Sequence, residues 1–145
     1  MLRTDRRYDV IIGDATHPGT ADSWVLYTEE FYRLCRSRLE EGGILCQWLP
    51  LHGLSATDFR MILRTFNAVF PHASIWLTRE YTILMGTPDP LRIDVERLRA
   101  RLAKPGIAEP LRLVGLGDPV SLLSSLALAE EAFTGFAGSG DTNTD

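Results

Sequence analysis

The stretch that decides the fold of this chain reads Tyr8-Asp9-Val10-Ile11-Ile12-Gly13-Asp14-Ala15-Thr16-His17-Pro18. Val10, Ile11 and Ile12 form a short continuous apolar run, which is typical of a strand buried on both faces of a sheet. Pro18 disfavours helical geometry for the residue before it, so a loop must follow the strand. Asp14 is therefore predicted to lie at the carboxyl end of a buried strand, where open α/β sheets place their ligand sites.

Composition limits the classes of function. The chain has 145 residues, 45% of them hydrophobic, and is long enough for one core. Its formal net charge of −4 argues against broad nucleic-acid binding, which needs a basic face, and suits a small cationic substrate better. Cys35 and Cys46 lack CxxC spacing and are predicted to be buried, reduced thiols, which favours the cytoplasm. No apolar stretch approaches the roughly 20 residues of a membrane helix, so no membrane insertion by this chain is expected.

Downstream of Asp14 the pattern predicts alternating helices and strands. A helix is predicted over residues 28–39, with Thr28 as N-cap and the Gly42-Gly43 pair as its stop. A buried strand over 43–49 follows, and then a helix that begins at Ser55 and ends before Pro71. This strand–helix–strand order predicts parallel strands joined by a right-handed crossover.

The rest of the chain is predicted to end the sheet and to add helices. Two short strands, over residues 73–78 and 81–86, form a hairpin, for a sheet of about four strands. Residues 88–137 are predicted to form a helical appendage, with helical spacing over 94–103 and 119–136. Residues 138–145 are polar and glycine-rich and are predicted to be a flexible tail.

Four motifs, in order and spacing, resemble the spermidine synthase family of aminopropyltransferases. They are the stretch over residues 8–18, then Ala21-Asp22-Ser23, Tyr27-Thr28-Glu29-Glu30-Phe31-Tyr32 and Gly42-Gly43-Ile44-Leu45-Cys46-Gln47-Trp48. The similarity spans residues 7–87. The segments over 46–53, 118–119 and 143–145 look more like bacterial spermidine synthase-like domains fused to membrane segments. The resemblance implies an α/β chain that is the C-terminal half of a Rossmann-like, methyltransferase-type sheet, with residues 1–87 as a partial aminopropyltransferase domain.

The resemblance also implies a site centred on Asp14. An aminopropyl transfer brings a cationic diamine to decarboxylated S-adenosylmethionine and removes a proton from an amine of pKa about 10, which a carboxylate can assist. By resemblance Asp14 is the general base and amine anchor, and the Asp14-Ala15 backbone lies beside the nucleoside. The further implied substrate contacts are His17, which replaces the family's second aspartate, and Asp22, Gln47 and Tyr81. Decarboxylated S-adenosylmethionine is implied as co-substrate, with no permanently bound cofactor.

Simpler interpretations of the same residues stay open. A strand-end aspartate such as Asp14 also caps loops through an Asx turn. His17 is equally a surface histidine, and Tyr81 a strand residue. His52 and His72 have no partner at metal-ligand spacing, so no metal site is expected.

The family's glycine-rich first loop and the acidic residue after its second strand do not occur before Tyr8. The resemblance therefore places the chain at the fourth to seventh strands, with half of the ligand site absent. The first strand would then expose an apolar edge, which a second copy of the chain or a separate N-terminal half is expected to cover. The functions left open are aminopropyl transfer to a polyamine or related amine, S-adenosylmethionine-dependent methyl transfer, and a non-catalytic module, in each case cytoplasmic or as the soluble part of a membrane-linked protein.

Overall fold

The computed structural model describes residues 5–14, 17–20, 23–77 and 81–145, with Tyr81 described by its backbone only. A short 3₁₀ helix, Trp24–Tyr27, precedes the first α-helix. The strands are β1 (Tyr8–Gly13), β2 (Leu39–Pro50), β3 (His72–Leu77), β4 (Tyr81–Thr87) and β5 (Leu126–Ala129). The helices are α1 (Glu29–Ser37), α2 (Ala56–Val69), α3 (Val95–Leu102), α4 (Pro105–Leu113), α5 (Pro119–Leu123) and α6 (Glu130–Ala137).

The strands form one mixed sheet in the order β1-β2-β4-β3-β5. β1 and β2 are parallel, and β4 runs antiparallel to both β2 and β3. The predicted α/β class, the parallel pair and the hairpin of β3 and β4 are therefore confirmed. β1 lies at one edge of the sheet and has a strand neighbour, β2, on one side.

A fifth strand, β5, was not predicted. The spacing of Leu122, Leu126 and Phe133 predicts one helix over residues 119–136, but β5 pairs antiparallel with β3, with Ile75 opposite Leu128. The local preferences of the Leu-Ala-Leu-Ala segment fit either a helix or a strand. The segment forms a strand because the open edge of β3 offers it a partner. Residues 126–137, predicted to belong to the helical appendage, thus add β5 and α6 to the sheet and its helical layer.

Local sequence signals place the two helices that cover the sheet. The Thr28 side chain accepts a hydrogen bond from the Phe31 amide at the start of α1. Ser55 does the same for the Asp58 amide at the start of α2, and both predicted N-caps are confirmed. One core fills the space between the sheet and helices α1, α2 and α6, and its largest fully buried side chains are Tyr27, Tyr32, Phe66, Phe70 and Phe133.

The Gly42-Gly43 pair does not end α1, which stops at Ser37. The pair lies instead within β2, where the register with β1 jumps from Tyr8–Leu39 to Val10–Ile44. A Cβ atom on Gly43 would lie 2.9 Å from the Glu40 carbonyl oxygen and 3.0 Å from that of Tyr8. Gly42 has a φ of +71°, a conformation that glycine adopts freely. The two glycines therefore accommodate an irregularity in the strand rather than a helix stop.

The prediction that β1 is buried on both faces is wrong for the described chain. Ile11 packs into the core, whereas Val10 is 52% and Ile12 73% exposed. Side chains alternate along a strand, so Ile11 faces the α1 and α2 layer and its two neighbours face the opposite side. Cys46, on that opposite face of β2, is only half-buried, while Cys35 is buried as predicted. Both thiols are free.

Residues 138–145, predicted to be a flexible tail, form hydrogen bonds with the helices that cover the sheet. Asn143 is 4% exposed, and its backbone amide donates to Thr65 Oγ1 at 2.8 Å. The sequence suggested fraying because residues 138–145 have no apolar anchor, but hydrogen bonds hold them instead. Among the described residues, no helix is both long and apolar enough to cross a bilayer.

Candidate functional site

Asp14 directly follows the last residue of β1 and is exposed. The neighbouring residue Gly13 is in register with Gln47 of β2. Because the two strands are parallel, their carboxyl ends lie at the same edge of the sheet. Asp14 therefore stands at the strand end that the sequence predicts.

Gln47 is fully buried beside this strand end. A Cβ atom on Gly13 would lie 2.5 Å from Gln47 Oε1, so Gly13 leaves the room that the amide occupies. Gln47 Nε2 donates to the Trp48 carbonyl oxygen at 3.2 Å. Gln47 Oε1 is buried without a hydrogen-bond partner in the described chain. Such an acceptor is costly, and at a ligand site it is open to a donor from the ligand.

Tyr27 is a residue of this site to which the sequence analysis gave no role. Its phenol is buried and donates to the Trp48 carbonyl oxygen at 3.2 Å. Burial raises the pKa of Tyr27 to about 12; a hydrogen bond with Gln47 opposes this rise, and the negative charge of Asp14 adds to it. Tyr27, Gln47 and Asp14 therefore form one neighbourhood with a neutral phenol. Tyr27 precedes the N-cap Thr28, where apolar residues commonly pack against the helix, which signals burial but not a site.

His17 joins the loop after β1 to the loop after β2. Its Nδ1 accepts from the Gly19 amide at 3.0 Å, so its Nε2 carries the proton and donates to the His52 carbonyl oxygen at 2.9 Å. Gly53 has a φ of +73°, and a Cβ atom there would lie 2.7 Å from His17 Nε2. Both ring nitrogens thus have partners within the chain, and substrate contact by His17 stays a prediction.

The other predicted site residues are Ala15, Asp22 and Tyr81. Ala15 and Asp22 lie outside the described residues. Tyr81 begins β4 opposite Pro50 of β2, and its side chain lies outside the described part. The structure thus brings together Asp14, Gln47 and the unpredicted Tyr27.

Two surface cavities lie away from this neighbourhood. One of about 390 Å³ lies between α2 and the end of α6, and the other, of about 270 Å³, lies beside the linker after β4. Neither is lined by Asp14, Gln47 or Tyr27. Within the described residues no three His, Cys, Asp or Glu side chains are grouped as metal ligands. The described chain therefore leaves the Asp14 carboxylate on an open surface.

The amino-acid sequence matches a known family. The family model described as "Spermine/spermidine synthase domain" matches residues 1–86. The chain belongs to the spermine/spermidine synthase family. The resemblance drawn from the sequence motifs is thereby confirmed.

Curated relatives in this family are aminopropyltransferases by name. "Polyamine aminopropyltransferase 1" of Pseudomonas aeruginosa is 52% identical over 117 residues, which are 74% of this chain and 41% of that protein. The polyamine aminopropyltransferase of Nitrosomonas europaea is 31% identical over 129 residues, covering 81% of this chain and 38% of that protein. The chain thus spans about two fifths of the length of these relatives.

Solved structures agree on the fold. A probable spermidine synthase from Corynebacterium glutamicum matches with a TM-score of 0.64 at 22% identity, over 98% of this chain and 49% of that one. A spermidine synthase in complex with the transition-state analogue AdoDATO matches with a TM-score of 0.65 at 23% identity, over 85% and 42% of the two chains. At these identities the likeness shows a shared methyltransferase-like fold.

Proposed function

We propose that this chain carries the amine-activating part of an aminopropyltransferase site. The reaction is transfer of an aminopropyl group from decarboxylated S-adenosylmethionine to a diamine. The observation that supports it best is the exposed Asp14 carboxylate at the end of β1, beside Gln47 and Tyr27, in a chain of the spermine/spermidine synthase family. Its two free cysteines suit a reducing cytoplasm.

Asp14 has the chemistry that this transfer needs. Its negative charge attracts a cationic amine, and its oxygens accept the proton that the amine nitrogen must lose. The nitrogen lone pair forms a bond to the aminopropyl carbon next to the sulfonium. The carbon–sulfur bond breaks, and its electron pair neutralises the sulfur, so methylthioadenosine leaves. The proton passes to Asp14, and charge balances.

Gln47 and Tyr27 also suit a site that binds a cationic amine. The unpartnered Gln47 Oε1 is an acceptor suited to an ammonium N–H. Tyr27 keeps its proton, since its pKa is raised to about 12, and so adds no competing negative charge. His17 stands where the family has a second aspartate, so amine attraction falls mainly on Asp14.

A second part of the proposal concerns the nucleoside-binding half of the site. The chain spans about two fifths of its relatives' length, and the outer edge of β1 adjoins exposed Val10 and Ile12. We propose that an N-terminal half-domain pairs with this edge and supplies the nucleoside-binding part. Association of two copies of the chain through the same edge is the alternative.

The test is Asp14→Asn in this chain assembled with the proposed N-terminal half, which we call the full-length protein, with product formation followed by mass spectrometry. Loss of the proton acceptor is expected to slow transfer roughly 10²–10⁴-fold. Asp9→Asn, which removes an exposed carboxylate from the same strand, is the matched control and should keep the rate. An Asp14→Asn protein as active as the control would refute the proposed role of Asp14.

The shared fold also favours one other function, methyl transfer from S-adenosylmethionine. Offering both donors with a set of diamines separates the two reactions by the mass added to the acceptor. An added methyl group would replace the proposal. A folded full-length protein that binds neither donor would make this chain a non-catalytic module.

A further inference from the structure

The chain's last described residues cross the elements that support the candidate site. We call residues 138–145 the tail strap. At its centre Asn143 is 4% exposed. Its carbonyl oxygen accepts from the Glu29 amide at 3.0 Å, and its side-chain Nδ2 donates to the Tyr27 carbonyl oxygen at 3.2 Å.

These bonds lie at a junction of two helices. Tyr27 is the last residue of the 3₁₀ helix and Glu29 the first of α1. Helix ends leave carbonyl and amide groups that need partners from elsewhere. Asn143 satisfies one group of each kind, while its own amide donates to Thr65 Oγ1 of α2. A single residue thus joins the 3₁₀ helix, α1 and α2.

Three further hydrogen bonds of the tail strap go to residues other than Tyr27. Thr142 Oγ1 donates to Glu29 Oε1 at 2.7 Å, and the Asp145 amide donates to Glu30 Oε2 at 3.1 Å. Arg64 Nε donates to the Asp141 carbonyl oxygen at 2.9 Å. The Asn143 side-chain amide is therefore a tail contact that bears directly on the position of Tyr27.

Tyr27 connects this junction to the candidate site. Its carbonyl is held by Asn143, and its phenol reaches the Trp48 carbonyl at the end of β2, beside Gln47. The ring between these two bonds is buried in the core. A shift of the 3₁₀ helix would therefore carry the phenol away from Gln47 and Asp14.

We propose that Asn143 is a positioning residue: its side-chain amide fixes Tyr27 and thereby the neighbourhood of Asp14 and Gln47. That this neighbourhood performs aminopropyl transfer rests on the proposed function. The contact with Tyr27 does not, so the two ideas can fail separately.

The structural test uses full-length protein labelled with ¹³C at the tyrosine ζ carbon, with the Tyr27 signal assigned from Tyr27→Phe. Asn143→Ala is expected to shift or broaden this signal and to speed amide hydrogen exchange over residues 24–29. Thr142→Val, which removes a tail contact without touching Tyr27, should leave the signal in place. An unchanged Tyr27 signal in Asn143→Ala, or equal shifts in both variants, would overturn the proposal. If Asn143→Ala does not fold, Asn143→Ser takes its place, with the same expectations.

The functional test is a double-mutant cycle on the transfer rate. Asn143→Ala and Tyr27→Phe are each expected to lower kcat by about the same factor, with KM for the donor little changed, and the double variant should lose no more than either alone. Independent, multiplying losses would contradict positioning through Tyr27. A wild-type protein without transferase activity would refute the proposed function, while the tyrosine signal would still decide the role of Asn143.

Discussion

At the residue scale, Gln47 is a buried side chain whose polar atoms are not all paired. It is fully buried, yet Oε1 has no hydrogen-bond partner in the described chain. Its Nε2 bond is to the Trp48 carbonyl, which also accepts from the Tyr27 phenol. A hydrogen bond also links Gln47 to Tyr27, but the cost of burying the unpartnered Oε1 offsets these bonds. Sites commonly keep such groups for function at the expense of stability.

We therefore expect Gln47→Met to separate stability from binding. Methionine fills a similar volume without an orphan acceptor, and the Trp48 carbonyl keeps the Tyr27 bond. The free energy of unfolding in urea should stay within ~1 kcal/mol of wild type or rise. Affinity for the amine acceptor, measured by calorimetry on the full-length protein, should fall. A large loss of stability would show that Gln47 is a structural residue and not a substrate contact.

Cys35 predicts how stability depends on pH. Burial raises its pKa from 9.0 to about 12. The contribution of the buried Cys35 thiol to the free energy of unfolding is therefore fully present below pH 9. It is lost as the pH rises from 9 toward 12, because the thiol ionises in the unfolded chain before it ionises in the folded one. Burial also raises the pKa of Cys46, from the same starting value, and of Tyr27 and Tyr32, from 10.0. Between pH 9 and 10 the fall in the free energy of unfolding comes mainly from the cysteines, because their starting pKa is lower than that of the tyrosines.

Cys35→Ala should accordingly be less stable than wild type at pH 8 but lose stability less steeply between pH 9 and 10. Urea unfolding at pH 8, 9 and 10 measures both quantities. The slope per group cannot exceed about 1.4 kcal/mol per pH unit. Parallel pH profiles for the variant and wild type would show that the Cys35 thiol does not contribute.

How far the sequence predicts single residues depends on how local their surroundings are. Asp14 was predictable because an apolar run and a following proline fix its place at a strand end. Tyr27 and Asn143 were not, because their hydrogen bonds join positions 21 and 116 residues apart. No spacing rule in the sequence reports such contacts. Gln47 was named from family resemblance, and its unpartnered oxygen emerged only from the packing.

At the scale of elements, capping signals succeeded and strand pairing was harder to foresee. Thr28 and Ser55 act within three residues of themselves, so their motifs suffice. β5 depends on the free edge of β3, which lies about fifty residues earlier in the chain. The junction of β5 and α6 carries a second feature that no pattern predicts: Glu130 has a φ of +50°, unusual for a residue with a side chain.

This junction predicts an unusual order of stabilities. The Glu130 carboxylate lies 3.2 Å from His72 Nδ1, and both alanine and glycine at position 130 remove that contact. Glycine alone adopts the positive φ without strain, so Glu130→Gly should be more stable than Glu130→Ala by ~1 kcal/mol. At Glu131, the next helical position, alanine should be the better residue. Thermal unfolding of the glycine and alanine variants at positions 130 and 131 measures both orders of stability. If the same substitution were the more stable one at both positions, strain at Glu130 would be contradicted.

At the scale of the whole molecule, the two faces of the sheet differ in how far they are covered. Helices α1, α2 and α6 cover the face that holds Ile11, and the opposite face at β1 leaves Val10 and Ile12 exposed. β1 also ends the sheet, so its outer backbone edge is open to another strand. An open edge next to an apolar surface is the arrangement that proteins usually cover.

The 145-residue chain on its own is therefore expected to self-associate through β1. Ile12→Lys places a charge on this surface and should shift the sedimentation velocity profile toward monomer, since lysine at an edge opposes strand pairing. Ile107→Lys, which changes an exposed isoleucine on α4, is the control and should not. In the full-length protein Ile12→Lys should instead lower the melting temperature, because the covering half would bury an unpaired charge. A wild-type chain that sediments as a single monomer would rule out pairing of two copies, and an unchanged melting temperature of full-length Ile12→Lys would rule out the covering half.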